Sequence, residues 1–374
     1  MELFQQDNSI FPLAYQDIIN RVSKINPVKY VSDRNYINGS VTYLSPYISR
    51  GVISTKFILA EILNKGYHPG RIQKFIQELA WRDYWQQVWI AKGNSINEDI
   101  KHAQSPVSNT EISIALTKGE TGINSIDHAI KKLYETGYMH NHWRMYVASI
   151  ACNIAESQWK VPAQWMHYHL LDADWASNAL SWQWVAGTNS SKKYIANQDN
   201  INKYCFTKDE NTFLDKSYPE LSAFEKTPTE IKDEKDYSFN IELPKKETIS
   251  INNDLPTYIY TAYNLDANWK KDEKANRILL LEPSHYKKYP VSKKVIDFCI
   301  LLSKEIEDLQ IAVMEFSELE ILTENQGEIY YKEHPFSNHY KGNKEDRDWI
   351  FKDLEANGSF FNYWNKGIKN LNLK

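Results

Sequence analysis

Cysteine is scarce in this chain. Cys152, Cys205 and Cys299 lie far apart and form no CxxC pair, which excludes a disulfide framework and a cysteine-ligated zinc or iron–sulfur centre. No apolar run reaches the roughly 18 residues of a membrane-spanning helix, so no membrane partner is expected. The opening residues, MELFQQDNSIFPLAYQ, have neither the basic nor the apolar region of a signal peptide. A cytoplasmic protein is expected. The region 276–374 has no GxGxxG after its first apolar run and no GxxxxGK[ST], so no nucleotide fingerprint is visible there, and no internal repeat is found in the chain.

What the chain has in quantity is aromatic residues, 13% of the total, with 12 Trp and 24 Tyr among 374 residues. Such a length suits two domains with ample cores. The formal charge of −4 is unevenly spread. Residues 1–205 hold 20 Lys and Arg against 17 Asp and Glu, and the remainder 24 against 31. A mildly basic first part would suit an anionic partner, although so small an excess is also ordinary for a soluble domain.

The densest chemistry lies in LLDADWASNALSWQW, residues 170–184. Two carboxylates, a carboxamide and three indoles share this stretch. Charged side chains are rarely buried unless paired, so the segment reads either as a polar seam in an aromatic core or as the wall of a ligand site.

Before it, the periodicity predicts helices near 12–24, 46–64 (broken at Gly51), 71–91, 124–134 and 139–159. Ser45-Pro46 reads as an N-cap followed by proline at the first helical position, a place that also suits a phosphate. On the 71–91 helix, Glu78, Trp81, Arg82 and Trp85 share one face. After Trp184, residues 207–275 are charged and weakly periodic and read as a linker or irregular segment. From 276 onward, apolar runs at 277–282, 310–316 and 328–333 alternate with helical stretches. That alternation predicts a small parallel α/β domain, closed by a helix within 346–371. The expected fold is mostly α: a helical domain over 1–206, the linker over 207–275, and an α/β domain over 276–374.

Four motifs, in order, carry a resemblance: TYLSPYISRG (42–51), ELAWRDYW (78–85), TG…IDHAI…TGYMHNHWRM (121–145) and LLDADWASNALSWQW (170–184). Together they resemble the helical FAD-binding domain of the photolyase/cryptochrome family over roughly residues 30–205. The resemblance implies an all-helical domain holding FAD. It places Thr42, Leu44 and Ser45 at the FAD diphosphate end, and Arg82 and Asn141 near the cofactor. It pairs Arg144 with Asp172 beside the isoalloxazine ring, sets Asp174 at the flavin edge, and turns Asn178 toward flavin N5. Trp182 and Trp159 match the first two members of the family's tryptophan electron-transfer chain. Glu78, Trp81, Asn141, Met145 and Trp184 match positions that contact a flipped cyclobutane pyrimidine dimer.

The resemblance therefore implies blue-light-driven repair of such dimers in damaged DNA by electron transfer from reduced FAD. Lys192 and Lys193 would add affinity for the phosphates. The alternative is a cryptochrome-like FAD photoreceptor without repair activity, signalling to a protein partner through its C-terminal domain. The sequence also departs from the family. The N-terminal α/β antenna domain is not expected ahead of the helical region, and no antenna chromophore is assigned. The 92–118 region lacks the third tryptophan of the chain. Phe75 replaces a common tryptophan, and His142 stands where many dimer photolyases have arginine. Two HxH pairs, His140/His142 and His167/His169, could ligate a metal, but their overlap with the flavin motif makes packing roles the expectation and no metal is assigned.

Overall fold

The computed structural model describes residues 10–224, 226–323, 328–356 and 358–371. Residues 1–9, and with them most of the segment read for a signal peptide, lie outside that set. The helices of eight or more residues are α1 (Tyr15–Ser23), α2 (Thr55–Asn64), α3 (Gln73–Lys92), α4 (Asn124–Thr136), α5 (Asn141–Ser149), α6 (Lys160–His169), α7 (Trp175–Ala186), α8 (Gln198–Cys205), α9 (Lys293–Ser303) and α10 (Phe360–Asn370). One sheet has five strands, β1 (Thr257–Tyr260), β2 (Asn276–Leu281), β3 (Leu309–Val313), β4 (Ile329–Lys332) and β5 (Asn343–Glu345). No helix among the described residues is long and apolar enough to cross a membrane.

Two compact units divide the chain: residues 1–31, 42–91 and 240–374 form one, and 32–41 with 92–239 the other. This division differs from the boundaries read from the sequence. α2 and most of α3 belong with the C-terminal segment because they are tied to it. The buried Asp83 carboxylate accepts hydrogen bonds from the Thr55 hydroxyl at 2.9 Å and the Ile350 N–H at 2.8 Å. Arg347 donates to Gln86 at 2.8 Å, and Tyr84 to the Gly358 carbonyl at 2.7 Å.

In the first unit all five strands run parallel in the order β3-β2-β1-β4-β5. β2 is buried along its whole length, and its apolar run Ile278–Leu281 is what a strand covered on both faces of a parallel sheet should carry. Ile259, Ile278, Leu280, Ala312 and Ile329 pack with Met314, Phe316 and Leu319 in one core. Burying each large aliphatic side chain there stabilises by about 1.5–3 kcal/mol. β1 falls inside the expected linker and β5 was not foreseen. β1 is only four residues long and follows a polar stretch, so it shows no alternation to read. The closing helix lies within the expected range and begins at Phe360, just past Gly358.

In the second unit α7 is buried on nearly every side, the behaviour of a helix that is apolar all round. Asp174 caps its start by accepting from the Ser177 N–H at 3.1 Å, and Gly187 ends it at φ 85°. The helix expected over 139–159 stops at Ser149 and gives way to a π turn, Ile150–Ile154. The expected helix over 46–64 is two pieces. The break at Gly51 has φ 64°, and the second piece restarts where the Ser54 side chain caps Phe57.

Candidate flavin and substrate residues

Each unit carries its own part of the candidate set. In the second unit, α5, the 170–174 turn and α7 bring Arg144, Asp172, Asp174 and Asn178 onto adjoining elements. Arg144 donates from Nη2 to Asp172 Oδ2 at 2.9 Å and from Nε to the Met139 carbonyl at 2.9 Å. The Asp172 side chain is 4% exposed and that of Arg144 22%. This is a mostly buried ion pair, and removing either member would strand a charge.

The turn that carries the carboxylates is shaped by backbone geometry. Ala173, between Asp172 and Asp174, has φ 25°, outside the region an alanine normally occupies. Its carbonyl is bonded to the His167 ring at 3.1 Å and its N–H to the Leu170 carbonyl at 3.0 Å. The preceding residue is anchored too: the Leu171 N–H donates to the Gly137 carbonyl at 2.8 Å. Gly137 closes α4 at φ 70°, and a Cβ there would lie 2.6 Å from Leu171 Cγ. Held strain of this kind is typical of functional sites. Nothing in the residue types D-A-D signals it.

Asp174 has a role the sequence reading missed. Its Oδ1 accepts from the Ser177 N–H and its Oδ2 from the Ser177 hydroxyl at 2.8 Å, so it is the N-cap of α7. Asn178 donates from its amide to the Ala163 carbonyl at 2.8 Å, turning its own carbonyl oxygen the other way. Trp159 and Trp182 are buried. Asn141 and Met145 sit one turn apart on α5, with Asn141 Nδ2 3.8 Å from Met145 Sδ. Trp184 is 40% exposed beside Tyr194, and Lys192 is exposed.

The histidine pairs have structural work. His140 caps α5 by accepting the His142 N–H at 3.2 Å. Burial, and then the neighbouring His142 and Arg144 charges, push its pKa down to about 4. Burial also lowers His142. His167 is bonded to Ala173 as above, and His169 to the Tyr237 hydroxyl at 2.8 Å. Among the described residues, no three His, Cys, Asp or Glu side chains are grouped to hold a metal ion.

In the first unit, Ser45 is not an N-cap. Leu44 takes that position, and Ser45 is the first residue of a short helix, Ser45–Ser49. Tyr43 before it has φ 54°. That left-handed step displaces the helix start by one residue, and no residue type foretells it. Thr42 Oγ1 accepts the Leu44 N–H at 3.4 Å.

On α3, Glu78 pairs with Lys74 at 2.9 Å. Trp81 lies flat on Phe360, with centroids 3.6 Å and planes 9° apart, and its neighbour Trp85 is 4.9 Å away. The sequence reading gave that indole to a substrate and did not foresee Phe360. The signal was available: Phe360, Tyr363 and Trp364 repeat at helical spacing, and all three are buried.

The sheet order reverses between β1 and β4, where open α/β sheets receive ligands beyond the strand ends. Here that place is filled by the chain itself. Tyr263 stacks on the buried His334, centroids 4.1 Å apart, and Arg50 lies over the Tyr263 ring and donates to the Ala262 carbonyl at 3.1 Å. Gly51 approaches so closely that a Cβ would sit 2.3 Å from the Tyr263 carbonyl oxygen.

Comparison with known proteins places these residues in context. A family model described as the FAD binding domain of DNA photolyase matches residues 75–270, just over half of the chain. The chain is 30% identical over 166 residues to a deoxyribodipyrimidine photo-lyase of Alkalihalophilus pseudofirmus, covering 43% of this chain and 34% of that one. It is 32% identical over 151 residues to that of Streptomyces griseus, covering 40% and 33%. The matches thus span about a third of these relatives' length. Among solved structures, a Synechocystis cryptochrome is similar at TM-score 0.47 and 25% identity, covering 54% of this chain and 47% of the other. A class III photolyase from Agrobacterium tumefaciens follows at TM-score 0.46 and 25% identity, covering 52% and 43%.

Proposed function

Because the chain belongs to the photolyase/cryptochrome family, we propose that it binds FAD and, under blue light, splits cyclobutane pyrimidine dimers in DNA. The observation that carries this reading is the Arg144–Asp172 pair, held on a strained turn beside Asn178 within the matched region.

The donor set fits a flavin. The partly exposed Arg144 guanidinium offers positive charge, Asp172 and Asp174 offer acceptors for a ring N–H, and Asn178 offers a neutral amide. Bound FAD supplies light absorption and the electron that opens the dimer. Arg144, fixed by Asp172 and the Met139 carbonyl, would stabilise negative charge on the ring edge without moving. Thr42, Leu44 and Ser45 would hold the diphosphate. In the second unit, Asn141 and Met145 on one face of α5, and Trp184, would meet a base taken out of the stack, while Lys192 and Lys193 meet phosphates; in the first unit, Glu78 and Trp81 keep the substrate role that the resemblance implies.

One observation favours a second reading. Phe360 occupies one face of Trp81, as suits a photoreceptor that keeps the flavin and has lost the lesion contact. Illumination of the reduced, FAD-loaded protein with a dimer-containing oligonucleotide separates the two. Dimer loss supports repair; intact dimers with a bleaching, flavin-loaded protein support the photoreceptor.

A further inference from the structure

Trp159 is fully buried, yet its indole N–H points at a carboxylate that reaches solvent. Trp159 Nε1 donates to Asp99 Oδ1 at 2.7 Å, and Asp99 is exposed. The contact is braced. Asp99 Oδ2 accepts the Gln104 N–H at 2.8 Å, and Gln104 Oε1 accepts the Trp159 backbone N–H at 2.9 Å. Other indoles of this unit face neutral groups: Trp143 donates to the Ser125 hydroxyl, Trp165 to the Tyr134 hydroxyl, and Trp175 to the Asn97 carboxamide. Among the described residues of the unit, Trp159 alone directs its indole N–H at a carboxylate.

We propose that Asp99 is the proton acceptor for oxidised Trp159, so that the electron relay ends there. The proposal rests on the flavin reading above. Trp159 gives one electron, by way of Trp182, to the light-excited oxidised flavin. The resulting indole radical cation is acidic. Its N–H bond breaks, an O–H bond forms on Asp99 Oδ1, and the proton passes to water at the exposed carboxylate. A neutral radical remains, and an external thiol later returns one electron and one proton. Loss of the proton removes the positive charge that would draw the electron back. A third tryptophan in 92–118 is then unnecessary; the same region supplies a base instead. Trp175 is 6.5 Å from Trp159, but its Asn97 partner is not a base comparable to a carboxylate.

The test uses the full chain in two arms, with transient absorption and electron paramagnetic resonance identifying the radical. Flavin-loaded protein is excited with blue light, and flavin-free protein is photoionised with ultraviolet light. Asp99→Asn keeps an acceptor but not a base, Asp99→Glu restores the base, and Trp159→Phe assigns the signal. Wild type and Asp99→Glu should give a neutral radical. Asp99→Asn should give a cation whose charge recombines faster, by about tenfold or more. A merely structural Asp99 would leave the protonation state of the radical unchanged. Equal radicals with equal lifetimes in wild type and a folded Asp99→Asn overturn the proposal. A neutral radical in the ultraviolet arm alone overturns the flavin relay and the reading beneath it, while upholding Asp99 as the acceptor.

Discussion

Trp81 and Phe360 lie face to face, centroids 3.6 Å apart and planes inclined by 9°. An indole that the family resemblance assigns to a pyrimidine dimer thus already has an aromatic partner from α10. A stacked pair contributes about 0.5–1.5 kcal/mol beyond the area it buries. Phe360→Leu, which keeps most of the volume, should therefore tighten binding of a dimer-containing oligonucleotide by up to about tenfold. The gain should vanish in Phe360→Leu/Trp81→Ala. Fluorescence anisotropy checks this, and unchanged affinity would mean that Trp81 does not meet DNA.

Arg144→Gln should destabilise the protein by roughly 3 kcal/mol, at the low end for a broken buried pair because the arginine is partly exposed. Arg144→Gln/Asp172→Asn should recover most of that stability in urea melts. Neither variant should retain FAD through gel filtration. Recovery of stability without recovery of flavin separates a binding role from a folding role.

Acid stability should show two opposed titrations. Burial raises the Asp83 carboxyl from 3.8 to about 6. The native state therefore binds more protons than the unfolded chain between those values, and stability falls as pH rises through them, by roughly 3 kcal/mol. Asp83→Asn should remove that decline from melts taken across pH 4 to 6.

His140 acts in the other sense. Burial lowers it from 6.5 to about 4, so its stabilising effect is full above pH 6.5 and is lost as pH falls toward 4, by roughly 3 kcal/mol. His140→Asn keeps an N-cap acceptor for His142 and should flatten this acid loss. Curves parallel to wild type would place the titration elsewhere.

Gly137→Ala should destabilise by about 1–2 kcal/mol from the left-handed backbone alone, and further through the contact with Leu171. Because Leu171 leads directly into the Asp172 turn, flavin affinity should fall with it. Thermal melting and flavin titration measure the two effects separately.

These cases show what the residues could and could not disclose. Helices α3 and α4 were readable from periodicity, and Gly137 from its place after Thr136. The Arg144–Asp172 pair followed from the motif. Positive φ at Ala173 and Tyr43 was not readable, since neither alanine nor tyrosine favours it and tertiary contacts impose it. β1 was hidden because four residues after a polar stretch carry no period. The spacing of Phe360, Tyr363 and Trp364 marks a buried aromatic face, but that this face covers Trp81, 279 positions away in sequence, is beyond any local pattern. Asp99 escaped notice for the same reason: a lone carboxylate in a polar loop gains meaning only from Trp159.

The most direct measurement is the visible absorption spectrum of purified protein, wild type and Arg144→Gln, before and after incubation with FAD. Flavin bands are expected in wild type, their loss in Arg144→Gln, and no additional near-ultraviolet chromophore band, since Tyr263, His334 and Arg50 pack together beyond the ends of β1 and β4. A colourless wild-type protein that takes up no FAD would contradict the flavin reading.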